Sequence, residues 1–349
     1  MEPEANTKRR RKILLWAAKI ILAVLLCWLV VSKTDLNELI DLGKKAYASG
    51  SAWLGIGLVP LAVLIAAWRW QKLLRTGGIE LPYNKVLLLT VLGNFFNHAL
   101  PSLVGGDVVK AYYVMRHQPN HKSQTVISLI ADRAAGLGGL AIVCLAAIAF
   151  GWGDPLVAKI RGPIFLVLSL LALAAVLLFA PGVRRALRLS WLIEKLPFKK
   201  LLEKLRQAVQ LYSAQPGAWI QALGLSVLIH LTLLSCVYLG GRALAPGPSY
   251  QNYLLLLPPT WMIAAVPITP GALGLMEAAY QAMFSRVGVS GTSALSLSLF
   301  HRFMLLVWAL PGIVIYIKGP GLAAAEQFSM EQVDEMLEGD VEGTNNSEN

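Results

Sequence analysis

Six charged side chains stand inside or at the edge of long apolar stretches: Asp107, Lys110, Asp132, Arg133, Glu277 and Arg302. A charge at the centre of a bilayer costs about 2.5–3.5 kcal/mol on insertion scales, so such groups pair or line a wet cavity. Asp107 precedes Arg133 by 26 positions, and Glu277 precedes Arg302 by 25. One reading is structural, with each acid neutralising its arginine. The other is functional: the arginines grip an anionic group bidentately while the acids set their position or carry a proton. Lys110 and Asp132 are expected to be shallow enough to reach water.

The residues before the two acids point to broken helices. The first stretch reads Pro101-Ser102-Leu-Val-Gly105-Gly106-Asp107, and the second Pro267-Ile-Thr269-Pro270-Gly271-Ala-Leu-Gly274-Leu-Met-Glu277. Ser102 and Thr269 sit where N-caps would sit, and Pro270 suits the first helical position after Thr269. A half-helix starting there aims unsatisfied N–H groups and a partial positive charge at the tip, which suits phosphate or carboxylate. Gly105, Gly106, Gly271 and Gly274 allow a backbone or a headgroup to come close. Helix packing by small residues is the plainer explanation of the same glycines. His230 lies mid-span and reads as a buried, hydrogen-bonded histidine. His117 and His121 flank Pro119 in a loop without acid or cysteine partners, so no metal site is expected. Neither a phosphate-binding P-loop nor a Gly-x-Ser-x-Gly elbow occurs, so no cofactor and no ATP-driven step is expected.

The elements that must hold these groups are membrane helices. Of 349 residues, 56% are hydrophobic and 15% charged, against roughly 25% charged in soluble domains. Uncharged runs recur: 17 residues at Ala52–Trp68, 20 at Ala134–Gly153, 18 at Pro163–Ala180 and 25 at Gly217–Gly241. About 20 apolar residues span a bilayer. Ile13–Val31 follows a basic run and is too long for a signal-peptide core, so it reads as a first transmembrane helix. Cys27, Cys144 and Cys236 lie in apolar segments as packing residues, not as a disulfide framework.

Net charge is +11, but the tail Glu326–Asn349 holds eight acids and no base, leaving +19 on the rest. That basic excess lies in loops and reports topology rather than nucleic-acid binding. Ser32–Ser51 reads as a mixed outer loop. The loop Arg184–Arg206 carries eight bases and two acids and belongs inside. It stays inside only when Val86–Leu100 enters and Val104–Met115 returns, as a re-entrant hairpin. Asn94, Asn97 and His98 lie in its first arm. Non-helical backbone at such depth is tolerated only against protein or a water-filled cavity. Leu254–Met276, broken by Pro258, Pro259, Pro267, Pro270 and Gly271, is read as a second hairpin, entered from outside.

The expected fold is therefore an all-α polytopic membrane protein. It has six full transmembrane helices and two re-entrant hairpins, related as an inverted repeat, a pattern found in transporters. Residues 1–12 form a basic cytoplasmic N-terminus and 13–318 the membrane domain. Within that domain, 184–212 is a cytoplasmic basic interfacial segment. Residues 319–349 are an acidic tail of disordered composition.

Asn94…Leu100-Pro101-Ser102-Leu-Val-Gly-Gly-Asp107-Val-Val-Lys110-Ala-Tyr112-Tyr113, then Ser128…Asp132-Arg133…Gly136, resembles a known family. So do Pro267-Ile-Thr-Pro-Gly271-Ala-Leu-Gly274-Leu-Met-Glu277, the helix around Arg302, and Pro311-Gly312. The family is the lysylphosphatidylglycerol synthase transmembrane domain, or flippase-like domain, the membrane half of the multiple peptide resistance factor. Lys110 stands where that family commonly has arginine, and Ala272 where it often has glycine. The resemblance implies a bacterial or archaeal plasma-membrane protein, with both termini cytoplasmic, that moves an anionic or modified phospholipid between leaflets as a flippase or scramblase. It implies headgroup contacts from Asn94, Asn97, Ser102, Gly105, Gly106, Asp107, Lys110, Asp132, Arg133, Thr269, Gly271, Gly274, Glu277 and Arg302. Membrane lipids are the expected partners, with a lipid-synthesising enzyme as a candidate protein partner. Two rival classes are a membrane-embedded transferase acting on a lipid-linked substrate and an accessory subunit of an envelope-biogenesis complex.

Overall fold

The computed structural model describes residues 35–99, 105–158, 214–266 and 268–318, with isolated positions between 21 and 28 and between 160 and 212. Among these residues there are helices and turns and no strand. The first transmembrane segment, most of the basic interfacial segment and the acidic tail lie outside them.

Among the described residues, four helices are long and apolar enough to cross a membrane. They are α2 (Gly50–Thr76), α5 (Lys122–Phe150, entered through a 3₁₀ turn at Pro119–His121), α6 (Pro216–Leu244) and α9 (Gly291–Ala309, running on through α10, Pro311–Lys318). Their ends follow local rules. Pro216 opens α6 at a first-turn position, where its missing N–H has no intrahelical partner to lose. The Ser290 side chain accepts from Ser293 N at the start of α9.

Ser32–Ser51, expected as a loop, contains a helix, α1 (Leu36–Ala48). Asp35 caps it by accepting from Asn37 N and Glu38 N. The mixed charges that suggested a loop lie on its exposed side, where Lys44 pairs with Asp41. Leu42 faces the core.

Among the described residues, two pairs of shorter helices pack with them. α3 (Tyr83–Ala99) packs on α4 (Gly105–His117), and α7 (Tyr250–Ala264) packs on α8 (Leu275–Phe284). Pro258 and Pro259, expected to break the chain, instead lie buried inside α7. The break falls at 265–274, around a 3₁₀ turn at Pro270–Ala272. Packed neighbours make proline tolerable within such a helix.

The most extensive helix contact is α2 on α6. An added Cβ at Gly55 would stand 2.6 Å from the Cys236 carbonyl oxygen, while Arg69, far along α2, reaches Ser226 near the start of α6. The two helices are thus antiparallel and nearly touch, as expected where small residues let backbones approach inside a membrane. α5 lies against both through Gly139, which abuts Ser226. α5 also packs on α7, and α9 packs on α3. α3 begins beside the end of α2, since Gln71 Nε2 donates to Leu81 O at 2.9 Å. α7 begins beside the end of α6, where Tyr253 abuts Gly241. The two helix pairs therefore enter the bundle from opposite ends. Glycines do the same work elsewhere: Gly240 admits the Phe300 ring, and Gly312 seats α10 on Phe95 of α3.

Candidate functional site

The first region is built where α4 begins. Gly106 lies so close to α3 that an added Cβ would collide with the Gly93 carbonyl. Its N–H donates to Asn97 Oδ1 at 2.9 Å, so the α3 side chain satisfies one open donor of the α4 N-terminus. Asn94 sits one turn earlier on the same face of α3. Ser102 lies outside the described residues.

Asp107 is the third residue of α4, and its Oδ2 accepts from Arg133 Nε at 2.7 Å. The Arg133 side chain is 50% exposed and that of Asp107 15%. One turn further along α4, Lys110 is buried, at 6% exposure. Its Nζ stands 4.8 Å from the Trp70 ring centroid, a cation–π contact worth about 0.5–2 kcal/mol. Trp70 is itself held by a 3.3 Å hydrogen bond to Ser128 Oγ.

Asp132 and Arg133 are successive residues of α5 and so diverge by about 100° around it. Arg133 faces α4, while Asp132 Oδ1 accepts from Arg69 Nε at 2.8 Å. Arg69 Nη1 also donates to Ser226 Oγ at 2.8 Å. The acids facing the Lys110 ammonium are Asp107 and Asp132, and the other bases are Arg69 and Arg133. Among the described residues, three cations against two anions leave a formal charge of +1.

The expectation that Lys110 sits shallow enough to reach water does not hold, whereas Asp132 keeps part of its side chain exposed. The close glycine contact of α3 with α4 folds Lys110 inward against α2, and Asp132 is turned to the buried Arg69.

The second region repeats part of this plan. Glu277 is the third residue of α8, and its Oε2 accepts from Gly274 N at 2.8 Å. Its other oxygen pairs with Arg302 Nε. Arg302 also donates from Nη1 to Gly271 O at 3.0 Å and from Nη2 to Ala272 O at 2.9 Å. The guanidinium therefore ties the break shut, and its side chain is 27% exposed.

Thr269 does not cap α8, and Pro270 opens only a short 3₁₀ turn. The turn needs left-handed backbone at Gly271, Ala272 and Gly274, with φ of 58°, 53° and 75°. That delays the helix to Leu275, where Gly274 and Glu277 supply the cap. Thr269 is buried, with its hydroxyl unpartnered by a hydrogen bond.

Buried aromatic and imidazole groups lie between the two regions. His230 Nε2 donates to Gly136 O at 2.9 Å, and its ring stands 6.1 Å from that of Trp261. Trp261 Nε1 donates to Tyr280 OH at 3.3 Å, and Tyr280 shares a 2.9 Å hydrogen bond with His301 Nδ1. Among the described residues, no three His, Cys, Asp or Glu side chains converge as a metal site would require.

Arg69 and Ser226 are neighbours in the first region that were not singled out from the sequence. The available signal was position: Arg69 directly follows the uncharged run Ala52–Trp68, before the apolar Trp70. A helix that continues to Thr76 carries it inside.

Residues 16–312 match the family described as the lysylphosphatidylglycerol synthase TM region. The chain is also similar to a UPF0104 membrane protein of Pyrococcus horikoshii. The two are 25% identical over 279 residues, which cover 72% of this chain and 81% of that protein.

Proposed function

This chain belongs to the lysylphosphatidylglycerol synthase TM region family, and from that premise we propose that it moves a phospholipid between membrane leaflets, as a flippase or scramblase. One observation carries the reading. A cationic cluster lies at the first turn of a helix that starts inside an apolar bundle, with half of the Arg133 side chain exposed beside it. Charged groups inside a membrane pair or line a wet cavity and mark substrate paths, and this cluster keeps a net positive charge after its pairs are counted among the described residues. A headgroup phosphate suits it, drawn by Arg133, by the Lys110 ammonium and by the amino-terminal end of α4. The acyl chains stay in the surrounding lipid.

The proposed topology has six full spans, with α3–α4 and α7–α8 as re-entrant hairpins of an inverted repeat. It is supported by the entry of the two helix pairs from opposite ends and by the antiparallel α2 and α6. The packing of α5 on α7 and of α9 on α3 has the exchange symmetry such a repeat requires. In this reading the protein resides in a plasma membrane with both termini cytoplasmic, and a lipid-synthesising enzyme supplies its substrate.

Arg302 takes a different role from the one its spacing suggested. Its donors hold the Gly271 and Ala272 carbonyls, so it fixes the second tip instead of gripping the headgroup.

The test is leaflet exchange of a tail-labelled phospholipid in vesicles carrying the purified protein, read by dithionite quenching. Exchange well above protein-free vesicles, with the lipid chemically unchanged by mass spectrometry, is expected. Chemical conversion of the lipid would replace translocation with a membrane-embedded transferase.

A further inference from the structure

Each acid of the first region already has its own arginine. Asp107 is held by Arg133 and Asp132 by Arg69. Among the described residues Lys110 is the surplus cation, buried beside the two pairs and facing the Trp70 ring with no carboxylate paired to it. A buried ammonium without a dedicated counter-ion is a place for an anion of the ligand.

We propose that this site selects lipids whose phosphodiester headgroup carries one net negative charge, and that Lys110 is the residue that sets this selectivity. The inference rests on the translocation reading for its physiological meaning, but the binding preference stands or falls by itself.

One added negative charge brings the cluster to neutrality. A zwitterionic headgroup brings its own cation and leaves the surplus in place. A phosphomonoester overshoots when doubly ionised. The Trp70 ring face, 4.8 Å from the ammonium, holds it in place inside the bundle. The geometry also makes the residue removable. Lys110→Met keeps the apolar stem and leaves both acid–arginine pairs intact, so no carboxylate is orphaned. Lys110→Arg keeps the charge.

The full-length protein in detergent is offered phosphatidylglycerol, phosphatidylcholine and phosphatidic acid, and binding is read by native mass spectrometry. The same lipids are then compared for exchange in vesicles. The expected result is a preference for phosphatidylglycerol over the other two of about tenfold, as one buried charge sustains. Lys110→Met should abolish that preference, and Lys110→Arg should retain it. Equal binding of all three lipids by the wild type, or a preference that survives Lys110→Met, would overturn the proposal. Preferential binding without exchange would uphold the selectivity and remove the translocation reading. Exchange without preference would do the reverse. Inorganic phosphate, added as competitor and as labelled solute, separates a lipid site from a phosphate site. Uptake of labelled phosphate in place of lipid exchange would contradict the assignment to a lipid.

Discussion

The helices α4 and α8 begin alike and end in different electrostatics. Each carries an acid at its third residue, paired with an arginine on the helix that follows. Three residues after the acid, however, the first region has Lys110 and the second Tyr280. Before the arginine, the first has Asp132 and the second His301. In the first region these neighbours form an ionic cluster with Arg69 and a surplus positive charge. In the second they form a hydrogen-bonded chain of Trp261, Tyr280 and His301 beside the Glu277–Arg302 ion pair. The arginines diverge accordingly. Arg133 has half its side chain exposed, and Arg302 is engaged by two tip carbonyls. In the proposed reading, one scaffold thus holds a charged site that receives an anion and a counterpart that holds shape.

The largest expected effect separates these roles by stability. Arg302→Ala leaves a buried carboxylate and two carbonyls without their partner. It should cost about 3 kcal/mol, seen as a lowered unfolding temperature in detergent. A loss below about 1 kcal/mol, the range of an exposed ion pair, would mean that the tip carbonyls do not depend on Arg302 and would erase the contrast.

A smaller effect sharpens the first region. Gly106→Ala pushes a methyl group into the Gly93 carbonyl and against Asn97. Overpacking of this kind should cost about 1–3 kcal/mol and should lower exchange, because α4 must shift with Lys110 and Asp107. Unchanged unfolding and exchange would show that the α3–α4 contact is looser than its geometry.

The smallest effect concerns the second tip. Ala272 adopts φ 53°, which costs a non-glycine residue about 1–2 kcal/mol. Ala272→Gly removes that strain but adds freedom to the unfolded chain. Stability should therefore rise by no more than about 1 kcal/mol, with exchange unchanged. A marked fall in stability would mean that the Ala272 side chain, buried in the core, matters more than its backbone.

These contrasts were unevenly legible in the sequence. The membrane class followed from uncharged length, because backbone in lipid must form helices and apolar runs of that size have no other use. The partners Asp107–Arg133 and Glu277–Arg302 followed from matching spacings across a helix break. What failed depended on depth and local backbone. Lys110 was placed near water because spacing along a helix does not say which neighbour a face meets. Only the glycine contact at Gly93 and Gly106 turns Lys110 inward. Thr269-Pro270 looked like a helix start by residue type, but the left-handed glycines that follow postpone it to Leu275. Arg69 was hidden by its position at the end of an apolar run, where bases ordinarily mark the membrane surface. Pro258 and Pro259 were taken as breaks because proline ends most soluble helices, whereas a packed membrane helix retains them.

The central claim is that the first region, and not the second, meets the headgroup. Its most direct test is leaflet exchange per folded molecule for Arg133→Ala beside the wild type, with thermal unfolding measured on the same samples. The account predicts a fall in exchange of about tenfold or more, since removal of one charge-assisted contact is worth at least that. It predicts an unfolding temperature lowered less than by Arg302→Ala, since Arg133 is half exposed and ties no backbone carbonyls, although the Asp107 it leaves behind is largely buried. Wild-type exchange by a folded Arg133→Ala protein would contradict it and move the headgroup path away from α4 and α5.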